Sequence, residues 1–408
     1  MKTKSYMIAI PNCKEDLKDV DGIMNRISND SEIKLLSHEF DEGMKLTLEI
    51  NGTEYDAVMS PVEVELTHML RLQHLFPDID IEKLQRCEFG LNLEMEFGED
   101  ALESYHAQLK IITTLMPDAV AILDASSEKI LSGKWANLAA KSKVPPAPRY
   151  IYTVQAVSGD GDCVWLHSHG LNRCGIPELE ILNSTKDTYQ SHYSIIETMA
   201  SRLLELEEQP EMGEPLYLAM VTEDIPMFAT LVDWKEAVEH YPEDMLGGKN
   251  DREDDHNDNT CAIFVYAMPE DLENKEYSPV SVFDEFLQEN PIYMFSNKET
   301  DRMRNLAAER LNYMVEAAKD EENVILLKIG LETDEEFRED GNEWEHIWFE
   351  LLEINDGKVR CKLTQEPYYV KGMHEGSEGT YTFDKITDWM IYSKERRITP
   401  DDVYILSL

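Results

Sequence analysis

At 408 residues the chain is long enough for two or three units, each able to bury its own core. Its 82 acidic against 38 basic residues give a formal net charge of −44, dispersed along the whole chain. Such a surface repels nucleic-acid phosphates and anionic lipid alike, which argues against duplex binding and leaves a basic protein as the partner it would attract.

No window approaches ~18 uninterrupted apolar residues, and "MKTKSYMIAIPNCKEDLKDV" has only a short apolar run before charged sequence. A cytoplasmic protein that neither spans nor binds a membrane is the expectation. The cysteines, Cys13, Cys87, Cys163, Cys174, Cys261 and Cys361, show no CxxC pair and are expected as reduced thiols.

In chain order, "SYMIAI" reads as a strand, and Leu17, Val20, Ile23, Met24 and Ile27 follow at helical spacing. "KLTLEINGTEYDAVM" predicts a hairpin, because Asn51 and Gly52 both tolerate positive φ between two alternating runs. A helical stretch over 63–75 leads to the strand "FGLNLEMEFG". Leu102, Tyr105, Leu109, Ile112 and Leu115 then predict one apolar helical face ended by Pro117, before the strand "AVAILDA". The proline-rich "KSKVPPAPRY" marks an extended connector near 141–149.

Beyond it, "YIYTVQAV" and "CVWLHSHG" form a second hairpin across "SGDGD", and Ile195, Ile196, Met199, Leu203 and Leu204 make the stripe of a long helix. Strands "PLYLAMV", "MFATLVDW" and "CAIFVYAM" follow, the last two split by the turn-rich polar "LGGKNDREDDHNDNT", expected to be a mobile loop. A helix burying Met303, Leu306, Leu311, Met314 and Val315 opens the last region. The strands "NVILLKIGLE" and "EHIWFELLEINDGKVRCKLTQ" come after it, with a turn at Asn355-Asp356-Gly357. The whole predicts an α+β architecture of mixed and antiparallel sheets with helices packed on one face, in units spanning 1–143, 150–295 and 300–408.

The chemistry-bearing candidates centre on "VWLHSHGLNRCGIPELEIL". His167 and His169 share one side of a strand, since side chains alternate with period two, and could present two imidazoles to a zinc ion with Cys174 or Glu178 as a further ligand. The competing expectation is a strand end packed by Trp165 and the histidines, with Arg173, Glu178 and Glu180 paired across the following turn. Ser168 points away from both histidines, and no GxSxG elbow is present. Cys174 beside Arg173 lacks an identifiable base.

The acidic segment 251–259 fails the EF-hand template at His256 and Ala262. Gly247-Gly248-Lys249 has the wrong flanks for a phosphate loop. Trp344, Trp348, Tyr368, Tyr369 and Trp389 are either a binding surface or, as is commoner in a small β-rich unit, core.

The segment from Glu343 to Tyr392 resembles the YegJ-like domain of unknown function, family 2314. The resemblance rests on Glu345, His346, Trp348, Asp356, Gly357, Pro367, Gly376 and the run Asp388-Trp389-Met390; Cys361 departs from it, standing where a small residue is expected. The upstream region with "WLHSHGLNRCGIPELEIL" is similar to the bacterial domain-of-unknown-function family 4026. Neither resemblance implies a catalytic residue. A looser similarity to domains near bacterial toxin-immunity systems implies binding rather than turnover.

The expected role is therefore noncatalytic binding of a protein partner, without a cofactor, through a surface that could include Arg173, Glu178, Trp348 and Trp389. The alternative is a zinc-dependent hydrolase centred on His167 and His169, with Cys174 as a further ligand.

Overall fold

A computed structural model describes residues 3–66, 76–159, 161–222, 224–252, 259–288, 291–294, 297–338 and 343–406. The chain divides into two compact units, one of Met1–Ala140 with Pro146–Ser296 and one of Lys141–Pro145 with Asn297–Leu408. The fold is α+β, with three open sheets.

In the first unit, one sheet holds β1 (Ser5–Ile10), β2 (Ile33–Phe40), β3 (Met44–Ile50), β4 (Thr53–Glu63), β5 (Phe89–Met95), β6 (Ala121–Asp124) and β7 (Lys129–Ser132), in the order β2-β3-β4-β5-β1-β6-β7. Every pairing is antiparallel. Asn51 at φ 53° and Gly52 at φ 81° close the β3–β4 hairpin, the two successive positive values that the sequence predicts there. Helices α1 (Val20–Ser28) and α2 (Ala101–Leu115) pack together, and α2 lies against β1, β5 and α3 (Gly133–Ala140). The helical expectation over 63–75 falls mostly on 67–75, outside the described residues.

The second sheet of this unit holds β8 (Thr153–Ser158), β9 (Cys163–His169), β10 (Glu178–Thr185), β11 (Leu216–Met220), β12 (Pro226–Asp233), β13 (Thr260–Tyr266), β14 (Ser278–Pro279) and β15 (Ile292–Tyr293). Its order is β15-β11-β12-β13-β10-β9-β8, with β14 beside β13, and β10–β13 is its parallel pair. Helix α4 (Tyr189–Glu205) covers β8, β9 and β10 through Ile195, Ile196, Met199 and Leu203, while Leu204 is only half-buried.

Helix α2 differs from the one-faced amphipathic helix expected. It is buried on nearly every side, yet its inward polar groups are bonded: Gln108 accepts from Ser5 Oγ at 2.7 Å and donates to Ser5 O, and Tyr105 Oη donates to Tyr150 O at 3.0 Å. A helix enclosed this way keeps polar residues only where each finds a partner.

In the second unit, α5 (Asn297–Glu309) and α6 (Leu311–Ala317) pack on β20 of a six-stranded antiparallel sheet. Its strands are β16 (Val324–Glu332), β17 (Trp344–Asn355), β18 (Lys358–Leu363), β19 (Glu378–Thr382), β20 (Ile386–Tyr392) and β21 (Arg397–Ile398), in the order β19-β18-β17-β16-β20-β21. Leu327, Ile329, Ile347, Phe349, Trp389 and Ile391 alternate into the core. Leu306 and Met314 come from the helices, whereas Met303, Leu311 and Val315 are half-buried.

Candidate functional site

The HSHG stretch ends β9, which pairs with β10 so that His167 faces Glu180. Gly170 turns the chain at φ 111°, where a Cβ would also stand 2.9 Å from Ile151 O and 3.0 Å from Ser127 Cβ, so neither the backbone angle nor the space admits a side chain. The turn's polar groups converge on one carboxylate. Glu178 accepts from Ser168 Oγ at 2.6 Å, Gly170 N–H at 2.9 Å and Asn172 N–H at 3.0 Å, and Ser168 Oγ accepts from Leu179 N–H at 2.8 Å. Backbone donors that would otherwise be orphaned in the interior are thereby satisfied.

Arg173, three residues beyond the glycine, crosses to the first sheet. Its guanidinium donates to both oxygens of Asp124 on β6, each at 2.8 Å, to Ser5 Oγ on β1 at 2.9 Å, and to Ile151 O. Neither member of the pair has exposed side-chain surface, and the rings of Tyr105 and Phe97 lie 5.2 and 5.5 Å from the guanidinium carbon. Beside it the buried ammonium of Lys129 donates to the carbonyls of Arg149, Tyr150 and Tyr152, and burial lowers its pKa to about 7. The turn is a latch holding the two sheets of this unit to one another.

The pairing expected inside the turn is corrected accordingly. Arg173 pairs with Asp124 rather than with Glu178 or Glu180. The partner of Glu180 is Arg252 at 2.6 Å, both fully buried, with Trp165 Nε1 donating to the other oxygen at 3.1 Å. The Arg252 guanidinium lies 4.3 Å from the Trp234 ring. It anchors the described start of the segment expected to be a mobile loop by donating from Nε to Gly247 O at 3.1 Å, at a position where a Cβ would meet the Trp165 ring at 2.7 Å. Residues 253–258, which carry most of the weighed calcium site, lie outside the described residues. Arg173 and Glu178 are buried and cannot form the surface expected of them.

His167 and His169 do share a face, their ring centroids 4.9 Å apart and edge-on. His167 is buried and also packs on Trp165 at 4.3 Å. Cys174 is buried in the turn with its thiol toward Gly170 O at 3.9 Å. Among the described residues, no group of three or more His, Cys, Asp and Glu side chains is placed to hold a metal ion.

One constellation escapes sequence reasoning. Ser184 Oγ lies 2.7 Å from His192 Nδ1, and His192 Nε2 lies 2.7 Å from Asp284 Oδ1. With the proton on Nε2, the imidazole donates to Asp284 and accepts from the serine hydroxyl. The composition is that of a hydrolase triad, but the two ring nitrogens are exchanged relative to the usual order. Ser184 has no exposed surface, so a substrate carbonyl has no route to it in this conformation. Burial lowers the His192 pKa against the opposing pull of Asp284. A β-bulge between Ile181 and Ser184, with Asn183 at φ 57°, turns the serine toward the helix. The serine and histidine are eight residues apart on a strand and a helix, and Asp284 is 92 beyond, so no local pattern announces them.

In the second unit the C-terminal aromatics divide, correcting the expectation that they are core. Trp389 alone is fully buried, its Nε1 donating to Ala307 O at 3.0 Å, and it therefore cannot serve the surface proposed for it. Trp348 is half-buried, and Trp344, Tyr368 and Tyr369 are exposed at 42, 79 and 40%. Lys385 Nζ stands 4.7 Å from the Trp344 ring and Lys328 Nζ 5.6 Å from Trp348, in the manner of cation–π pairs. Near them Asp388 is pushed up to about 6 by burial, and His346 Nδ1 lies 3.0 Å from Thr387 Oγ1. Cys361 is wholly buried opposite Gly379, its thiol raised to about 12 by desolvation.

Residues 5–146 and 154–264 match the N-terminal and C-terminal parts of the family described as Protein of unknown function (DUF4026). Residues 304–400 match a family described as Uncharacterized protein conserved in bacteria (DUF2314). No curated protein and no solved structure matches the chain. The two DUF4026 matches take in the first sheet and strands β9 to β12 of the second, and together cover more than half of the sequence; the chain belongs to that family and carries a DUF2314 domain.

Proposed function

We propose that this is a noncatalytic, acidic, bacterial cytoplasmic protein whose role is to engage a basic protein partner. The observation that carries the reading is how folding sorts the charges. Among the described residues, Lys110, Lys129, Arg173, Arg252, Arg302 and Arg310 are buried, against Asp124, Glu178 and Glu180, although acids outnumber bases about two to one in the sequence. The interior thus removes a larger share of the cations than of the anions and leaves the surface more acidic than composition alone implies. Such a field speeds encounter with a cationic partner and repels phosphate backbones.

Two further facts accord with the reading. The six cysteines are thiols outside any disulfide, as suits a reducing compartment, and among the described residues no helix is long and apolar enough to cross a membrane. Affinity capture on the full-length chain at low and at high salt tests the proposal. Basic proteins retained at low salt and released at high salt support it, whereas recovery of only neutral or acidic partners, indifferent to salt, contradicts it.

A further inference from the structure

We infer that Phe337, Tyr368 and Tyr369 form the docking face for an arginine-bearing segment of a basic protein, an assignment that rests on the binding role proposed above and gives it a place. Tyr368 is the most exposed large apolar or aromatic side chain among the described residues, at 79%, and Tyr369 beside it is 40% exposed. Ring centroids of Tyr368 and Tyr369 lie 6.2 Å apart and those of Phe337 and Tyr369 6.0 Å apart, making one continuous aromatic surface.

The backbone beneath these rings is fixed. Glu345 accepts the N–H of Tyr368 at 2.8 Å and that of Tyr369 at 2.9 Å with separate oxygens. Asp334 N–H donates to Tyr369 O at 3.0 Å, and the Asp334 carboxylate accepts from Lys371 N–H. Further along the same connection, Glu366 accepts from Glu375 N–H at 2.9 Å. A connection held by carboxylates while two tyrosines face solvent has already met much of the ordering cost that binding would impose, and rigid tyrosines are the side chains that binding surfaces favour.

Charge selects the occupant. Lys371 forms an ion pair with Glu336 while its ammonium stands 5.1 Å from the Phe337 centroid, so the face already holds one cation between a ring and a carboxylate. A guanidinium suits that arrangement better than an ammonium, because it stacks flat on a ring and forks onto a carboxylate. A second copy of this chain brings the same −44 charge and is repelled, and a nucleic-acid strand is repelled through its phosphates.

The test uses the full-length protein and two fluorescein-labelled probes, a short peptide of alternating arginine and glycine and its lysine counterpart, titrated by fluorescence anisotropy at physiological salt. The wild type should bind the arginine peptide more tightly. Replacing both tyrosines, Tyr368→Ala with Tyr369→Ala, should weaken that binding about tenfold, as the loss of two ring–guanidinium contacts would, and weaken the lysine peptide less. The paired Tyr368→Phe and Tyr369→Phe variant should keep the arginine preference. An unchanged thermal transition in both variants shows that the fold is intact. Equal arginine-peptide affinity in the wild type and the alanine variant overturns the docking face, and salt-sensitive capture of basic proteins would then leave the broader reading standing. Binding of neither peptide, with no basic partner captured, overturns both.

Discussion

Replacing Arg173 by methionine should be among the most damaging single changes in the first unit. The substitution keeps much of the side-chain volume but removes three hydrogen bonds of 2.8 to 2.9 Å, to both Asp124 oxygens and Ser5 Oγ, and a fourth to Ile151 O. Because Asp124 has no exposed side-chain surface, its carboxylate is left as an uncompensated buried charge. Breaking a buried pair from one side costs ~3–5 kcal/mol, a large part of the ~5–15 kcal/mol that holds a domain together. At ~2–4 °C per kcal/mol, the thermal midpoint should fall by about 6 to 20 °C. Asp124→Leu combined with Arg173→Met removes both charges and should recover most of the loss, since an apolar replacement of a buried pair is often neutral. Urea unfolding of the two single variants and the double variant forms a complete cycle. A single variant that loses less than ~1 kcal/mol, or a double variant as unstable as the singles sum to, would refute the latch.

Three further expectations concern the buried polar groups. Protein purified without chelator should carry no stoichiometric zinc by elemental analysis, and His167→Ala should lower stability through lost packing on Trp165; about one zinc per chain that disappears in the variant would establish the metal alternative instead. A fluorophosphonate probe should leave Ser184 unlabelled in the native protein because the hydroxyl is wholly buried, and labelling abolished by Ser184→Ala would show that the site opens. His106, whose Nε2 lies 3.0 Å from Ala139 O, is lowered from 6.5 to about 4 by burial. The unfolded chain therefore binds the extra proton, and this contribution is fully present above about pH 6.5 and lost as the pH falls toward about 4. Stability of His106→Gln should vary with pH less steeply than wild type across that window, by about one proton, and identical slopes would contradict the assignment.

Local features were legible in the sequence wherever a local rule governs them. The Asn51-Gly52 hairpin, the apolar stripe of α4 and the Ser168 side chain facing away from the two histidines all follow from backbone preference or from the period of a helix or strand. Long-range pairing was not legible. Asp124 is 49 residues from Arg173, and Glu180 is 72 from Arg252. Charge type alone made the nearby Glu178 and Glu180 look like the partners of Arg173. The aromatic residues of the second unit could have been sorted from sequence. Ile347 and Phe349 alternate with Trp344, His346 and Trp348 along β17, and period two alone puts the two sets on opposite faces. Trp389 shares the core side with Leu327, to which it is paired in register. The Tyr368–Tyr369 pair lies in a connection rather than a strand, where no periodicity applies, and its fixed backbone depends on Glu345, more than twenty residues earlier.

The central claim, attraction of a basic protein by an acidic surface, is tested most directly by measuring the affinity of the full-length chain for a captured partner across a series of salt concentrations. Exposed charges are screened beyond ~8 Å at physiological ionic strength, so binding carried by this surface must weaken steadily as salt rises, with the association rate falling more than the dissociation rate climbs. The account predicts that behaviour. An affinity that holds constant from low to high salt would contradict it.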